Sequence, residues 1–135
     1  MFSGGDILEI SYKHPTLGSG VLFPKSSEDG TLDPGGYRSN DDANGITGDG
    51  QNIRQINRVR WSFESTVGWD MALQDEVDQM RKLAASPVDA DWTFTHINGT
   101  IWGGKGAPVG DIQGNTNTAQ MSIKISGGGQ LTKIS

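Results

Sequence analysis

The sequence contains no cysteine and only two histidines, His14 and His96. The lack of cysteine excludes disulfides, thiolate metal sites and cysteine nucleophiles. Two histidines supply neither a histidine-rich metal site nor Ser-His-Asp catalysis well. No apolar run approaches the about 18 residues of a membrane-spanning helix, and residues 1–12 lack the basic start and apolar stretch of a signal peptide. We therefore expect a soluble protein without a membrane partner, made in a cytoplasm.

Apolar residues are also scarce and make up 33% of the 135 residues. Glycine alone accounts for 20 positions. A chain of this length forms one domain, which we assign to residues 1–135. It can close one modest core and has little room for a buried active-site cavity as well.

The net charge of −5 is concentrated in residues 26–52, which hold six of the sixteen acids and one of the eleven bases. This segment has few large apolar residues and cannot bury itself. We predict a long acidic loop here, either a solvated surface loop or an arm that orders against a neighbouring subunit. A basic stretch with Arg54, Arg58 and Arg60 follows it directly.

A calcium loop is a third interpretation of the acidic segment. Asn40, Asp42, Asn44 and Gly45 stand at positions one, three, five and six of an EF-hand pattern. Position twelve is Gln51 instead of the bidentate Glu, and no helix is predicted on either side. The pattern therefore does not favour a metal site, and we predict no metal and no cofactor.

Alternating polar and apolar residues predict a mainly β fold. Between residues 55 and 65, Val59, Trp61 and Phe63 point to a core, and the side chains between them point to solvent. Residues 103–106 are predicted to form a flexible turn. The predicted strands cover residues 6–12, 18–23, 55–65, 91–97, 100–102, 109–112, 118–125 and 131–134.

One helix is predicted over Asp70–Ser86, with Asp70 as its N-cap and Pro87 after its end. Its apolar stripe consists of Leu73, Val77, Met80 and Ala84. Further along, Asn98-Gly99 predicts a tight hairpin with positive φ at both residues, and His96 lies on the apolar face as a core or half-buried histidine. The fold class is a small β-sandwich or barrel with one packed helix and the long acidic loop.

Catalytic patterns are weak, and we predict that the protein is not an enzyme. Gly103-Gly104-Lys105-Gly106 lacks the spacing and the following Ser or Thr of a phosphate loop. Asp89 and Asp91 could form a carboxylate pair for glycoside hydrolysis, but solvated acids are ordinary at a strand start. The arginines at 54, 58 and 60 lie opposite the aromatic residues of their strand, which disfavours a stacking platform for nucleic acid.

The last third of the chain carries a recognisable series of runs. It reads Asp91-Trp92-Thr93-Phe94-Thr95, then Asn98-Gly99-Thr100-Ile101-Trp102-Gly103-Gly104, then Pro108-Val109-Gly110-Asp111-Ile112-Gln113-Gly114-Asn115, and finally Thr118-Ala119 and Met121-Ser122-Ile123-Lys124-Ile125 before Gly127-Gly128-Gly129. Residues 91–129 resemble the tail tube proteins of contractile-tailed bacteriophages. The order of strands, long loop and helix fits the same family over nearly the whole chain.

The resemblance implies that six copies form a ring in which the sheets join into one continuous barrel. The rings would stack into a tube inside a contractile sheath, and genomic DNA would pass through the channel into the host. Type VI secretion and bacteriocin tubes share this architecture. The implied partners are further copies of the chain, the sheath protein, the baseplate hub and tail terminator at the tube ends, and tape measure protein and DNA in the lumen without specific binding. The implied location is the virion tail, assembled in the host cytoplasm.

Two sets of residues are candidates for roles in such a tube. Acids of one subunit could meet the arginines of a subunit in the adjoining ring, because heterologous contacts that do not close build filaments. This stacking set comprises Asp29, Asp33, Asp41, Asp42, Asp49, Arg54, Arg58 and Arg60. Polar faces with little charge are candidates for the lumen, namely Thr93, Thr95, Thr118, Gln120 and Ser122. Arg58, Arg60 and Lys124 lie on comparable faces and argue against a purely negative lumen.

Two alternatives stay open. A tube-initiating baseplate protein or a tail terminator would have the same fold and form a single ring. A monomeric ligand-binding β-sandwich, such as a carbohydrate-binding module, would use tryptophans as a sugar platform, and the chain has four, at positions 61, 69, 92 and 102. Three of these four alternate with apolar neighbours, which favours a role in core packing.

Overall fold

The computed structural model describes residues 2–39 and 44–134. In these residues it contains thirteen strands and one helix. In chain order they are β1 (Ile7–His14), β2 (Gly18–Leu22), β3 (Thr31–Asp33), β4 (Gly36–Ser39), β5 (Gly45–Ile46), β6 (Asn52–Ile53), β7 (Ile56–Val59), β8 (Trp61–Gly68), α1 (Glu76–Ala85), β9 (Ala90–His96), β10 (Ile101–Pro108), β11 (Gln113–Asn115), β12 (Gln120–Gly127) and β13 (Thr132–Lys133).

Most strands belong to one antiparallel sheet with the order β2-β1-β9-β10-β12-β8-β3. The sheet folds over at β10, which pairs with β9 from Ile101 to Gly106 and then with β12 at Ala107 and Pro108. This divides it into two layers. The first layer is β2-β1-β9-β10 with β13 beside β10, and the second layer is β12-β8-β3 with β11 beside β12. The prediction of a mainly β fold with one helix is confirmed.

The core lies between the two layers. Phe94 of the first layer packs on Phe63 and Trp61 of the second, with ring centroids 4.8 and 5.9 Å apart. Helix α1 contributes Met80 and Leu83 to the same core. Because one face of each layer is buried here, the opposite faces of the two layers point away from each other.

Strand pairing does not close the described residues into a barrel. The two ends of the sheet order, β2 and β3, are not paired with each other. The chain after β2 still reaches β8 through an isolated bridge between Pro24 and Val67. The amide of Lys25 donates to the carbonyl of Thr66 over 2.8 Å at the same place. The observed arrangement is therefore two layers joined at β10 and bridged at Pro24.

The strand predicted over 55–65 is divided at Arg60 into β7 and β8, and β8 continues to Gly68. Trp61 and Phe63 are buried as expected, so the predicted face is right and the length is wrong. The division follows from pairing, because β7 leaves the sheet to pair with β4, whereas β8 pairs with β12 and β3.

Residues 103–106 form the middle of β10, not a flexible turn. Their glycines give room to the indole of Trp61: a Cβ at Gly104 would lie 3.2 Å from its Nε1, and a Cβ at Gly106 would lie 2.7 Å from its ring. The indole N–H then donates to the carbonyl of Lys105 over 3.0 Å. The glycines thus allow close packing of an aromatic ring on a strand.

The helix is shorter than predicted, because it begins at Glu76 with Asp75 as its N-cap. The Asp70 carboxylate instead accepts from the amides of Ala72 and Leu73 in a turn before the helix. Leu73 is 87% exposed, and Leu83 takes the buried position that was predicted for Ala84. The C-terminal end agrees with the prediction to within one residue.

The β9–β10 hairpin is confirmed, but its turn differs from the predicted one. Positive φ occurs at Gly99 and not at Asn98, and the Asn98 side chain accepts from the Thr100 amide over 2.9 Å. His96 is half-buried, as expected, and its Nδ1 accepts from the Asn98 amide.

Residues 109–112 were predicted as a strand but form none, and a short strand follows at β11. None of the described helical segments is long and apolar enough to cross a membrane.

Candidate assembly surfaces

The segment predicted as an acidic loop contains β3 and most of a long hairpin. In this hairpin β4 pairs with β7, and further out β5 pairs with β6. We call residues 36–39 and 44–59 the arm; residues 40–43 between them lie outside the described residues. Gly35 directly precedes the arm; its φ is +74°, and a Cβ at this position would lie 2.7 Å from the amide nitrogen of Trp61. A residue with a side chain would be strained and would clash at this joint.

The arm exposes four large hydrophobic residues. Their exposed fractions lie between 52% and 73%, and the residues are Tyr37, Ile46, Ile53 and Ile56. Tyr37 and Ile56 lie on the same face of the β4–β7 pair, because Tyr37 is opposite Arg58 and Ile56 is opposite Ser39. A two-stranded ribbon is marginally stable in water without a surface to cover such a face. The arm therefore has the properties of a segment that packs on another molecule.

Part of the acidic segment and the arginines at 54 and 58 lie on this one hairpin. The guanidinium of Arg58 lies 5.2 Å from the ring centroid of Tyr37, and Nε of Arg54 donates to the Ser39 hydroxyl over 3.2 Å. Each of these contacts joins a residue before the tip of the arm to an arginine after it within one chain. Neither of the two contacts involves an acid of the predicted stacking set.

The remaining members of the predicted stacking set differ in their surroundings. Asp33 forms an ion pair with Arg38, and the Gly35 amide, which donates to it, lowers its pKa most, with a further contribution from Arg38. The Thr47 hydroxyl lowers the pKa of Asp49 at the tip of the arm. Asp29 and Arg60 are exposed. Asp41 and Asp42 lie outside the described residues, so the stacking contact as a whole stays a prediction.

The candidate lumen residues do not share one surface. Thr93 and Thr95 lie on the outer face of the first layer, opposite the buried Trp92 and Phe94. Gln120 and Ser122 lie on the outer face of the second layer. Since these faces point in opposite directions, one subunit cannot line a channel with both sets. Thr118 was predicted on a strand face but lies in the exposed turn before β12.

The two outer faces also differ in charge. On the first layer, Lys13, Asp91 and Lys105 are opposite one another in register. On the second layer, Lys124 forms an ion pair with Glu64 at 3.2 Å. Asp33 also lies on this face, opposite Ser62, and forms an ion pair with Arg38. The neutral side chains that the pairing places on the face are Thr31, Ser62, Thr66, Gln113, Asn115, Gln120 and Ser122. Lys124, the cation that the β12–β8 pairing places on this face, is therefore paired with an acid, and most of its neighbours there are neutral.

The four exposed hydrophobic residues of the arm are functional candidates that the sequence analysis missed. The prediction for residues 26–52 was based on their charges alone. Ile46, Ile53 and Ile56 stand in an otherwise polar region. Isolated isoleucines between turn residues are a signal for strands that pair locally and pack on something else. The outer edge of β2, at one end of the sheet order, is unpaired among residues 2–39 and 44–134 and is a second candidate for pairing with another chain.

The chemistry of the described residues gives little support to a small-ligand or metal site. They contain no group of three or more His, Cys, Asp or Glu side chains that could hold a metal ion. Trp61 and Trp92 are buried and cannot form a sugar platform, whereas Trp69 and Trp102 are partly buried. The ionisable and aromatic residues singled out above therefore belong to packing and to surfaces.

Comparisons with protein-family models and with curated proteins find no match to this chain. The features of the chain that bear on function are accordingly the arm, the two outer faces and the sequence runs between residues 91 and 129.

Proposed function

We propose that this protein is the tail tube subunit of a contractile-tailed bacteriophage. Six copies form a ring, the rings stack into a hollow tube inside a sheath, and DNA passes through the channel. The proposal names no enzymatic activity. Its partners are further copies of the chain, the sheath, the proteins at the two tube ends, and tape measure protein and DNA in the channel.

The arm is the observation that carries this proposal. Four large exposed hydrophobic residues on one hairpin are typical of an interaction site. A subunit that reaches into the next ring has a use for it. The free edge of β2 supports lateral contacts in the same way, because pairing with a neighbour removes an exposed edge.

The outer face of the second layer is our proposal for the channel wall. Phosphate contacts from Lys and Arg dominate DNA affinity, so a wall along which DNA slides needs few unpaired cations. Lys124 is paired with Glu64, and the neighbours Gln120 and Ser122 are neutral. The arm also continues the β3–β8 pair of this layer, so stacking through the arm would align the second layer with the tube axis.

Electron microscopy of the purified protein tests the main proposal. A tail tube subunit should form tubes with stacked rings at high concentration. Lone rings that never stack would favour a tube-initiating protein or a tail terminator of the same fold. Monomers at every concentration would contradict assembly and favour a ligand-binding β-sandwich.

The channel wall can be located separately, because the chain has no cysteine and single cysteine variants label at one position. Ser122→Cys and the matched Thr93→Cys are each labelled with maleimide gold clusters and then imaged in assembled tubes. We expect gold from position 122 in the lumen and gold from position 93 at a larger radius. The reverse arrangement would show that the first layer lines the channel.

A further inference from the structure

A groove lies at the end of β8 opposite the arm. Its volume is about 410 Å³, and its lining includes Phe23, Trp69, Asp70, Gln74 and Glu76. The arm leaves the sheet beside Trp61, the first residue of β8, whereas the groove surrounds Gly68, the last one. Seven steps along a strand separate the two by about 24 Å.

Exposed apolar side chains lie in and beside the groove. Phe23 lines it and is 56% exposed. Met71 and Leu73 stand in the turn between the lining residues Asp70 and Gln74 and are 47% and 87% exposed. We call Phe23, Met71 and Leu73 the apolar rim. Exposed side chains of this size in one place mark an interaction surface more often than a free one.

The turn that carries this rim is held in place before anything binds. The Asp70 carboxylate accepts from the Leu73 amide over 3.2 Å, and the Asp70 amide donates to the Glu76 carboxylate over 2.7 Å. The Trp69 indole donates to Asp75 over 3.1 Å. Binding to a surface ordered in this way costs little conformational entropy.

The charges of groove and arm are complementary. The groove lining contains no Lys or Arg and two acids, of which Asp70 is exposed and Glu76 is buried with its carboxylate bonded to the Asp70 amide. Arg54 and Arg58 on the arm are exposed and form no ion pair with any other described side chain. An arm that places isoleucines on the rim would bring these arginines close to the groove acids, which also favours the correct encounter.

We infer that the groove around Trp69 receives the arm of a second copy of this chain. This inference rests on the proposed function and names the stacking contact within it. Arm and groove are different surfaces at opposite ends of β8, so the contact is heterologous. A heterologous contact that does not close repeats without limit and produces a filament. Apolar side chains of the arm and of the rim then form most of this contact. Arg54 and Arg58 face acids of the groove, whereas the sequence analysis paired them with acids of residues 29–49 in another subunit.

Leu73→Asp tests the apolar rim beside the groove, because a side chain that is 87% exposed can be replaced without disturbing the fold. We expect folded rings by circular dichroism and microscopy, and at least a tenfold loss of polymer in a sedimentation assay. Ile53→Asp on the arm should give the same result. The control Ile97→Asp changes a side chain that is 54% exposed in the β9–β10 turn, outside the groove, and should assemble normally. Normal tubes from Leu73→Asp would overturn the inference.

Crosslinking gives a second test that does not depend on loss of assembly. The double variant Ile53→Cys/Leu73→Cys, treated with a short bismaleimide in assembled tubes, should give a ladder of covalent multimers on a denaturing gel. The control Ile53→Cys/Ile97→Cys should give none. Tubes without a ladder would overturn the docking site and leave the proposed function standing. A wild-type protein that forms no tubes at all would instead contradict the proposed function itself.

Discussion

The body and the arm of this protein are built on different principles. In the body, two layers bury Trp61, Phe63 and Phe94 between them, so each strand has a covered face. In the arm, two short strand pairs follow one another, and the hydrophobic side chains remain largely in water. The stability of the body comes from its own core, and the arm lacks one.

This difference indicates a division of labour along one chain. Hydrophobic burial is the dominant favourable contribution to folding, so the body can be a finished unit by itself. The same effect acts on the arm only when another surface covers it. Variants in the two regions should therefore separate folding from assembly.

The largest expected effect concerns the core of the body. Phe94→Ala removes the ring between Trp61 and Phe63 and should lower the free energy of unfolding by about 3–5 kcal/mol. Ile56→Ala on the arm should change it by less than about 0.5 kcal/mol, because exposed positions rarely matter for the monomer. Urea unfolding of dilute, unassembled protein measures both. Equal losses for the two variants would show that the arm shares the core of the body.

A smaller effect is expected where the two layers join. A Cβ at Gly127 would lie 1.9 Å from the carbonyl oxygen of Lys105, and this backbone atom cannot move aside alone. Gly127→Ala should therefore cost about 1–3 kcal/mol by overpacking. The neighbouring Gly128→Ala meets nothing within 4 Å and should be nearly neutral in the same thermal or urea measurement. A neutral Gly127→Ala would contradict the close approach of β10 and β12.

The smallest effect concerns the joint between body and arm. The Gly35 amide, with Arg38, lowers the pKa of Asp33 below 3.8. The pKa of Asp33 is lower in the folded state than its ordinary value of 3.8. The ionised carboxylate therefore stabilises the fold fully above pH 3.8, and this stabilisation is lost as the pH falls through the folded-state pKa. Carboxyl NMR titration should give a midpoint below 3.8 for Asp33, and Asp33→Asn should remove that signal. A midpoint at or above 3.8 would show that the joint does not hold the carboxylate.

Sequence patterns predicted the body better than the arm for a physical reason. Alternation reports which side chains face a core, and it located β9, β12 and the buried face of β8. It does not report which strands pair, so the division at Arg60 and the fold-over at β10 were not visible. The glycines at 103–106 suggested a turn because their use, room for the Trp61 indole, depends on a residue distant in sequence.

The candidate surfaces were predictable in part. Apart from Thr118, the candidate lumen residues lie on outer faces, as their alternation predicted. That the two outer faces point in opposite directions depends on the two-layer arrangement, which alternation does not report. The start of the helix was misplaced because Asp70 and Asp75 are equally suited to an N-cap. Side-chain bonds to Trp69 and to the amides after Asp70 decide between them, and those bonds exist only in the folded chain.

Strand β10 serves both layers, and this has a consequence for how the protein melts. Loss of either layer leaves β10 without partners on one side, which exposes the buried face of the other layer. The two layers should therefore unfold together in one cooperative transition, at a temperature set by their combined stability. The arm, attached through a glycine joint, can fray and re-form below that temperature without any cost to the rest.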